Sequence, residues 1–382
     1  MKKTLLYSLI LSLNISYAQD SLQFDKIVQW DANPIESQGK TGTCWSFSTT
    51  SFLESELIRM GKGTYNLSEM FVARQTYLDK ADNYVRRHGK TQFGEGSLGH
   101  DMINAIETYG IVPKEVFSGL QSISRTHNHA ELSNILKAYL EAIVENKGGE
   151  LSVLWREGYT ALLDVYLGEF PESFIYQEEI FSPKSFSTSL GLSADNYLSL
   201  TSYTHEPYYS SFILGIPDNW SNGLFHNLPI DLLYNSTKNA LKNGFTIEWD
   251  TDVSNSGFNS KKGLALVAIE GEKPNFNLVS NEMEVSQAYR QEAFDNYAVG
   301  DDHLMHIVGL VEDPGGKEYF VVKNSWGDKI GMEGFKGHIL VSESYFKLNT
   351  ISVLMHRDGL SNIVKKKLNL KYNVSLPGII NE

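Results

Sequence analysis

The sequence predicts an α+β fold with a helical N-terminal half and a strand-rich C-terminal half. Two observations lead to this prediction: apolar residues recur at helical spacing up to residue 144, and short strand-like runs dominate beyond residue 239. Helices and strands that are segregated along the chain are typical of α+β architecture. A chain of 382 residues can also bury a large core without disulfide bonds.

Four segments of the N-terminal half carry the helical pattern. Their apolar residues are spaced three and four positions apart, which places them on one face of a helix. Gly61 and Gly110 end the first and the third segment. The segments span residues 44–61, 67–85, 99–110 and 132–144.

Strands are predicted after residue 239, at residues 245–249, 264–269, 304–311 and 319–323. Residues 170–229 are rich in Pro, Ser, Tyr and Asn, which indicates loops. We therefore divide the chain into a signal peptide (1–18), a helical half (19–130), an inserted helical and loop region (131–230), a β-rich half (231–356) and a C-terminal tail (357–382).

The first residues have the pattern of a secretory signal peptide. Two lysines precede an apolar run from Leu5 to Leu13, and small residues lead up to Ala18. We expect cleavage near Ala18 and export to the periplasm or the medium. The net charge of −13 becomes −15 without the two lysines, and we do not expect so acidic a chain to bind nucleic acid or an anionic membrane.

Cys44 is the only cysteine of the chain. A single thiol cannot form an internal disulfide, so it is either a buried small side chain or a nucleophile. It follows a glycine-containing turn and stands at the start of the first predicted helix, where the helix dipole favours a thiolate and should lower the thiol pKa. Gln38 lies across the same turn, and its amide together with the Cys44 N–H would form an oxyanion hole.

A thiol nucleophile needs a base, and the strand around residue 303 offers two histidines. Side chains alternate along a strand, so His303 and His306 face opposite sides and only one can address the thiol. The next predicted strand ends at Asn324, whose amide can orient an imidazole. Trp326 follows, and its indole can shield that hydrogen bond from water.

These motifs resemble those of the papain-like cysteine peptidases. The match consists of three separated motifs in the same order, Gln38…Cys44-Trp45-Ser46-Phe47, Asp302-His303…Gly309 and Asn324-Ser325-Trp326-Gly327. The family pattern places a glycine six residues after the catalytic histidine, and Gly309 satisfies this for His303 but not for His306. We therefore predict that His303 is the base, and the resemblance implies a papain-like fold.

The distance between the motifs indicates one branch of this family. Cys44 and His303 are 259 residues apart, whereas papain-type enzymes separate them by about 130–150, so roughly a hundred residues are inserted. The chain resembles the bleomycin hydrolase/aminopeptidase C branch, which carries such insertions but is commonly cytosolic. Further matching stretches cover residues 95–97, 109–114, 170–174, 227–231 and 258–261.

The resemblance implies a peptidase that acts through an acyl-enzyme, with Cys44, His303 and Asn324 as its catalytic triad. It implies no cofactor and no metal. His127-Asn128-His129 could suggest a metal site, but without a nearby cysteine or spaced acid we interpret this stretch as a polar loop.

The resemblance also implies how a peptide would bind. Gly96 and Ser97 would offer a backbone edge to the substrate, beside Trp326. The terminal carboxylate of Glu382 would enter the cleft and pair with the free amino group of a substrate, which would make the enzyme an aminopeptidase. Related enzymes form hexamers, and the apolar stripe of residues 132–144 is interpreted as core or as a contact of a homo-oligomer.

Three other functions stay open. A secreted endopeptidase would use the same triad, and a catalytically silent peptide-binding protein would keep the fold. A transglutaminase-type acyl transferase also uses Cys and His, but it orients the histidine with Asp, whereas this chain has Asn324.

Overall fold

The computed structural model describes residues 23–121, 125–276 and 281–370. The predicted signal peptide and Glu382 lie outside the described residues. Ten α-helices are found within them: α1 (Cys44–Arg59), α2 (Glu69–Arg86), α3 (Gly99–Tyr109), α4 (Ala130–Val144), α5 (Leu154–Leu167), α6 (Pro183–Leu190), α7 (Ile230–Lys242), α8 (Gln287–Asp295), α9 (Glu343–Asn349) and α10 (Asn362–Lys367). None of these described helices is long and apolar enough to span a membrane.

Eleven of the described strands form one mixed sheet. The strands are β1 (Asp25–Gln29), β2 (Phe174–Tyr176), β3 (Glu179–Phe181), β4 (Tyr197–Thr201), β5 (Ser211–Ile213), β6 (Leu224–Asn227), β7 (Ile247–Thr251), β8 (Phe258–Asn259), β9 (Leu264–Ala265), β10 (His303–Glu312), β11 (Glu318–Lys323), β12 (His338–Ser342) and β13 (Thr350–His356). Their order is β5-β6-β4-β13-β7-β10-β11-β12-β9-β8, with β1 paired to β10. β2 and β3 form a separate hairpin.

Helix α1 is buried along almost its whole length because it packs against β10, α2 and α3. Its apolar residues are buried on several sides of the helix, and its buried hydroxyl groups donate hydrogen bonds. Ser48 Oγ donates to the carbonyl of Met305 in β10 at 2.7 Å, and Thr49 donates to its own helix. The Ser48 bond anchors the start of the helix to the strand that carries His303.

Gly309 is required by the close approach of β1. A Cβ at this position would lie 2.7 Å from the carbonyl oxygen of Val28, and Gly309 pairs with Gln29 across the sheet. The glycine used to choose between the two histidines therefore has a packing role in the sheet.

The inserted region differs from the sequence prediction. We expected helices and loops for residues 131–230, but this region also supplies β4, β5 and β6, which extend the main sheet beyond β13. The predicted strand at residues 264–269 is shorter than expected, since only Leu264 and Ala265 pair as β9.

The apolar stripe of α4 belongs to the core of the single chain. The buried residues of the stripe are Leu132, Leu136 and Leu140. Helix α4 packs against α2 and against α5, and Tyr159 and Leu163 of α5 are fully buried. Of the two interpretations of this stripe, the structure favours the core over a subunit contact.

Candidate active site

Cys44 is the first residue of α1 and is buried, with 8% of its surface exposed. The preceding turn is closed by two reciprocal bonds: Thr41 Oγ1 donates to the carbonyl of Gln38 at 2.9 Å, and Gln38 Nε2 donates to the carbonyl of Thr41 at 2.7 Å. The thiol is therefore presented by a rigid turn at a helix N-terminus.

His303 is the first residue of β10, and its imidazole is oriented by Asn324, which directly follows β11. The distance from His303 Nε2 to Asn324 Oδ1 is 2.8 Å. Trp326 stacks on the imidazole with ring centroids 4.7 Å apart and planes inclined by 29°. With Nε2 engaged and one face covered, Nδ1 is the nitrogen left for a reacting group.

Gln38 is hydrogen-bonded to Ser325, which follows Asn324 at the end of β11. Its backbone N–H donates to the carbonyl of Ser325 at 2.9 Å, and its side-chain Oε1 accepts from Ser325 Oγ at 2.5 Å. Since Nε2 uses one of its two hydrogens on Thr41, the other hydrogen remains to stabilise a developing oxyanion. Gln38 therefore links the turn before Cys44 to the strand that ends in Asn324.

Cys44 and His303 lie on neighbouring elements, but no hydrogen bond joins their side chains among the described residues. The thiol instead interacts with the backbone of Leu304, the residue after His303. Burial raises the pKa of the Cys44 thiol to about 12 and lowers the pKa of His303. These shifts run opposite to the expectation from the helix dipole, and both favour an uncharged thiol and imidazole in the substrate-free enzyme.

His306 lies on the other face of β10, as the alternation of the strand predicts. Its Nδ1 is 2.9 Å from Ser51 Oγ, which also accepts a hydrogen bond from Lys323 at 2.7 Å. Burial lowers the pKa of His306 well below its ordinary value. It is therefore an uncharged, buried histidine held against the middle of α1 by Ser51, seven residues along the helix from Cys44.

The loop with Gly96 and Ser97 lies beside the nucleophile. Trp45 Nε1 donates to the carbonyl of Glu95 at 3.0 Å, which ties this loop to α1. Ser97 Oγ accepts from Trp220 Nε1 at 2.9 Å and donates to a carboxylate of α3. The structure thus brings Gly96 and Ser97 to the same site as Cys44, together with an indole from the inserted region.

Three aspartates near Cys44 were missed by the sequence analysis. Asp218, Asp250 and Asp301 are the charges that act most strongly on the Cys44 thiol. Burial raises the pKa of Asp301 to about 7, and burial with the nearby charge of Asp301 raises that of Asp250. For Asp250 and Asp301, the signal that could have found them is a charged residue next to a strand predicted to be buried; Asp218 lies in a region predicted as loops and carries no such signal.

The described residues contain no group of three or more His, Cys, Asp or Glu side chains that could hold a metal ion. In particular, His129 is engaged with Tyr77, at 3.0 Å between Nδ1 and the hydroxyl oxygen.

Comparison with known proteins identifies relatives along most of the chain. A model of the Peptidase C1-like family matches residues 90–377. Aminopeptidase G of Lactobacillus delbrueckii subsp. lactis is 26% identical over 379 residues, covering 86% of this chain and 82% of the relative. Bleomycin hydrolase of Gallus gallus is 22% identical over 397 residues, covering 89% of this chain and 84% of the relative.

A solved structure shows a similar fold. The crystal structure of PepW from Lactobacillus rhamnosis HN001 aligns with a TM-score of 0.69 and 20% sequence identity, covering 90% of this chain and 84% of that chain. The α+β fold that the sequence predicts is therefore confirmed.

Proposed function

The chain belongs to the Peptidase C1-like family, and from this premise we propose that it is a cysteine aminopeptidase with Cys44 as its nucleophile. The observation that carries the proposal is the environment of His303. Its Nε2 is held by Asn324, its ring is covered by Trp326, and the residue after it contacts the thiol. This arrangement supports a general base whose free nitrogen, Nδ1, accepts the proton of the Cys44 thiol.

In the proposed reaction, the thiol proton of Cys44 moves to Nδ1 of His303 as Sγ attacks the carbonyl carbon of the substrate. The carbonyl electron pair moves to oxygen, where the N–H groups of Gln38 and Cys44 stabilise the negative charge. Forming the imidazolium next to the thiolate gives each buried charge a partner, which offsets the burial that disfavours either charge alone.

The tetrahedral intermediate then collapses. The C–N bond breaks, and His303 passes its proton to the leaving amine. Water attacks the resulting thioester with His303 as the base, and the thiol leaves as the acid product is released.

The restriction to free amino termini is supported by the names of the relatives, several of which are aminopeptidases. The terminal carboxylate of Glu382 stays a candidate for binding the amino group of the substrate. The alternative function is an endopeptidase that uses the same triad.

A panel of fluorogenic substrates with free and N-acetylated amino termini tests this function. We expect hydrolysis of the free-amine substrates and little hydrolysis of the blocked ones. Cys44→Ala and His303→Ala should abolish turnover, whereas His306→Ala should keep most of it because His306 is bound by Ser51 and not by Asn324. Turnover that survives in Cys44→Ala would contradict the mechanism, and preference for blocked substrates would favour an endopeptidase.

A further inference from the structure

The peptide group that joins Thr41 to Gly42, in the turn before the nucleophile, is hydrogen-bonded on both sides. Its carbonyl oxygen accepts from Gln38 Nε2 at 2.7 Å. Its N–H donates to Oε2 of Glu95 at 2.6 Å. Gln38 and Glu95 are therefore connected through one peptide group, although they belong to distant parts of the chain.

The geometry of a peptide group makes this connection rigid. The group is planar and trans, so its C=O and N–H bonds point in opposite directions and turn together. A carboxylate that fixes the N–H of Gly42 therefore fixes the carbonyl of Thr41 as well. Hydrogen bonds in series also polarise one another, so the bond to the carboxylate makes this carbonyl a stronger acceptor for the Gln38 amide.

Glu95 is itself held in place by contacts that do not use its side chain. Its carbonyl accepts from Nε1 of the fully buried Trp45 at 3.0 Å. The carbonyl of the next residue, Gly96, accepts from the buried ammonium of Lys80. Since the Glu95 side chain is only 18% exposed, it has little freedom to leave the turn.

Gly42 permits the contact because it has no side chain. A Cβ on Gly42 would lie 2.9 Å from the Cβ of Glu95, closer than two carbon atoms can pack. Burial raises the pKa of the Glu95 carboxyl, while the hydrogen bond from Gly42 and the charge of Lys80 lower it. These two contacts favour the ionised carboxylate, which is the form that accepts most strongly.

We propose that Glu95 is a positioning residue of the reaction, which holds the amide of Gln38, through the peptide group of Thr41 and Gly42, in the orientation that stabilises the oxyanion. This inference rests on the proposed peptidase function and adds to it a residue that acts only through Gln38. A displacement of about 1 Å in a catalytic group can cost about 10²-fold in rate, so loss of the Glu95 carboxylate should slow the chemical step.

The main test is a double-mutant cycle of Gln38 and Glu95, measured with the free-amine fluorogenic substrates. Glu95→Ala should lower kcat about 10- to 100-fold, the range expected for losing a hydrogen bond to a charged group. KM should change little, because the substrate does not meet Glu95. In the Gln38→Ala background, Glu95→Ala should cost less than about a further twofold, because no amide is left to position.

Two further variants separate the acceptor oxygen from a general effect of substitution. Glu95→Gln keeps the length of the side chain and one acceptor oxygen, so its kcat should stay within about fivefold of the wild-type value. Glu107→Ala removes an exposed carboxylate of α3, the helix that follows this loop, and should leave kcat unchanged.

We expect the Glu95 variants to fold, because the bonds from Trp45 and Lys80 reach backbone carbonyls of the loop and remain. Circular dichroism checks the fold. The rate of alkylation of Cys44 by iodoacetamide checks the nucleophile, since this reaction needs the thiol but no oxyanion donor.

Four outcomes would overturn the inference. An unchanged kcat in Glu95→Ala would mean that the turn positions Gln38 without the carboxylate, and losses that multiply in the double variant would mean that Glu95 acts on another group. A raised KM with unchanged kcat would make Glu95 a substrate contact. Equal losses in Glu95→Ala and Glu95→Gln would mean that the charge, and not the acceptor oxygen, is required.

A measurement without turnover separates this inference from the peptidase function. In nuclear magnetic resonance spectra of protein with isotopically labelled glutamine, the side-chain amide of Gln38 is identified by its absence from Gln38→Ala. Its hydrogens should exchange with solvent faster in Glu95→Ala than in the wild-type protein, and at the wild-type rate in Glu95→Gln. If the wild-type protein hydrolyses no substrate but shows this difference, the peptidase function fails and the positioning of Gln38 stands. If hydrolysis proceeds and the exchange rates are equal, the positioning fails alone.

Discussion

Two opposing influences set the protonation of the single residue His303. Burial lowers the pKa of its imidazole, and the hydrogen bond to Asn324 raises it. Because the net shift is downward, the neutral base persists below the ordinary histidine pKa of about 6.5. We expect the acidic limb of kcat/KM for a free-amine substrate to lie below that pH.

Asn324→Ala removes the influence that raises the His303 pKa. The pKa should therefore fall further, so the acidic limb should move to lower pH while kcat decreases because the ring loses its orientation. Full pH–rate profiles of the two proteins check this shift. A limb that stays in place, or that moves to higher pH, would contradict the role given to the amide.

A third prediction at the residue scale concerns Gln38. Losing one oxyanion donor typically lowers turnover by about 10²–10³, so we expect Gln38→Ala to reduce kcat by this factor. Ser325→Ala is the control, because it removes the 2.5 Å bond to Oε1 and leaves Nε2 in place. Comparable losses in both variants would show that the linkage, and not the donor, is what matters.

At the scale of elements, Asn227 fixes the loop of residues 203–206 to the end of β6. From the end of β6, its Nδ2 donates to the carbonyls of Tyr203 and Glu206 at 2.7 and 2.8 Å, and its Oδ1 accepts from the N–H of Tyr203 at 2.9 Å. Three backbone groups of one loop thus depend on a single buried side chain.

Asn227→Asp keeps the shape of the side chain but turns its donor into an acceptor that faces two carbonyl oxygens. We expect the free energy of unfolding to fall by at least about 1–3 kcal/mol, the cost of buried groups left without partners. Denaturant midpoints measure the loss. Asn235→Asp on the exposed face of α7 is the same chemical change and should stay within about 0.5 kcal/mol; equal effects of the two changes would contradict the argument.

At the scale of the whole molecule, we propose that the chain forms a homo-oligomer through its inserted region. The hairpin of β2 and β3 pairs Ile175 with Ile180, and these side chains are 71% and 78% exposed. Water-exposed apolar side chains on a strand pair are typical of a subunit contact. The α4 stripe does not serve this purpose, since it is buried within one chain.

Light scattering at micromolar concentration should give a mass above that of one chain. The double variant Ile175→Asp and Ile180→Asp should reduce that mass, because two charges would have to be buried at the contact. Ile363→Asp changes an equally exposed isoleucine in α10 and should leave the mass unchanged. A monomeric wild-type protein would exclude the proposal.

Sequence patterns predicted the elements whose periodicity is local. The first four helices and the strand of His303 follow from spacing alone, and the alternation of that strand placed His303 and His306 on opposite faces. Strands β4 to β6 escaped prediction because they are short and are completed by distant partners such as β13. The sequence predicted a lowered pKa for the Cys44 thiol, and this direction was wrong. Burial raises the pKa more than the dipole of one helix lowers it, and burial depends on the whole fold.

The single thiol has a chemical consequence for the enzyme. Each chain offers one sulfhydryl to a thiol reagent, so the amount of reagent consumed counts active sites directly. If Cys44 is oxidised to a sulfenic acid, no second cysteine of the same chain can convert it to a protective disulfide. Reactivation then depends on a reductant from outside the protein, and the activity becomes a reporter of the redox state of its surroundings.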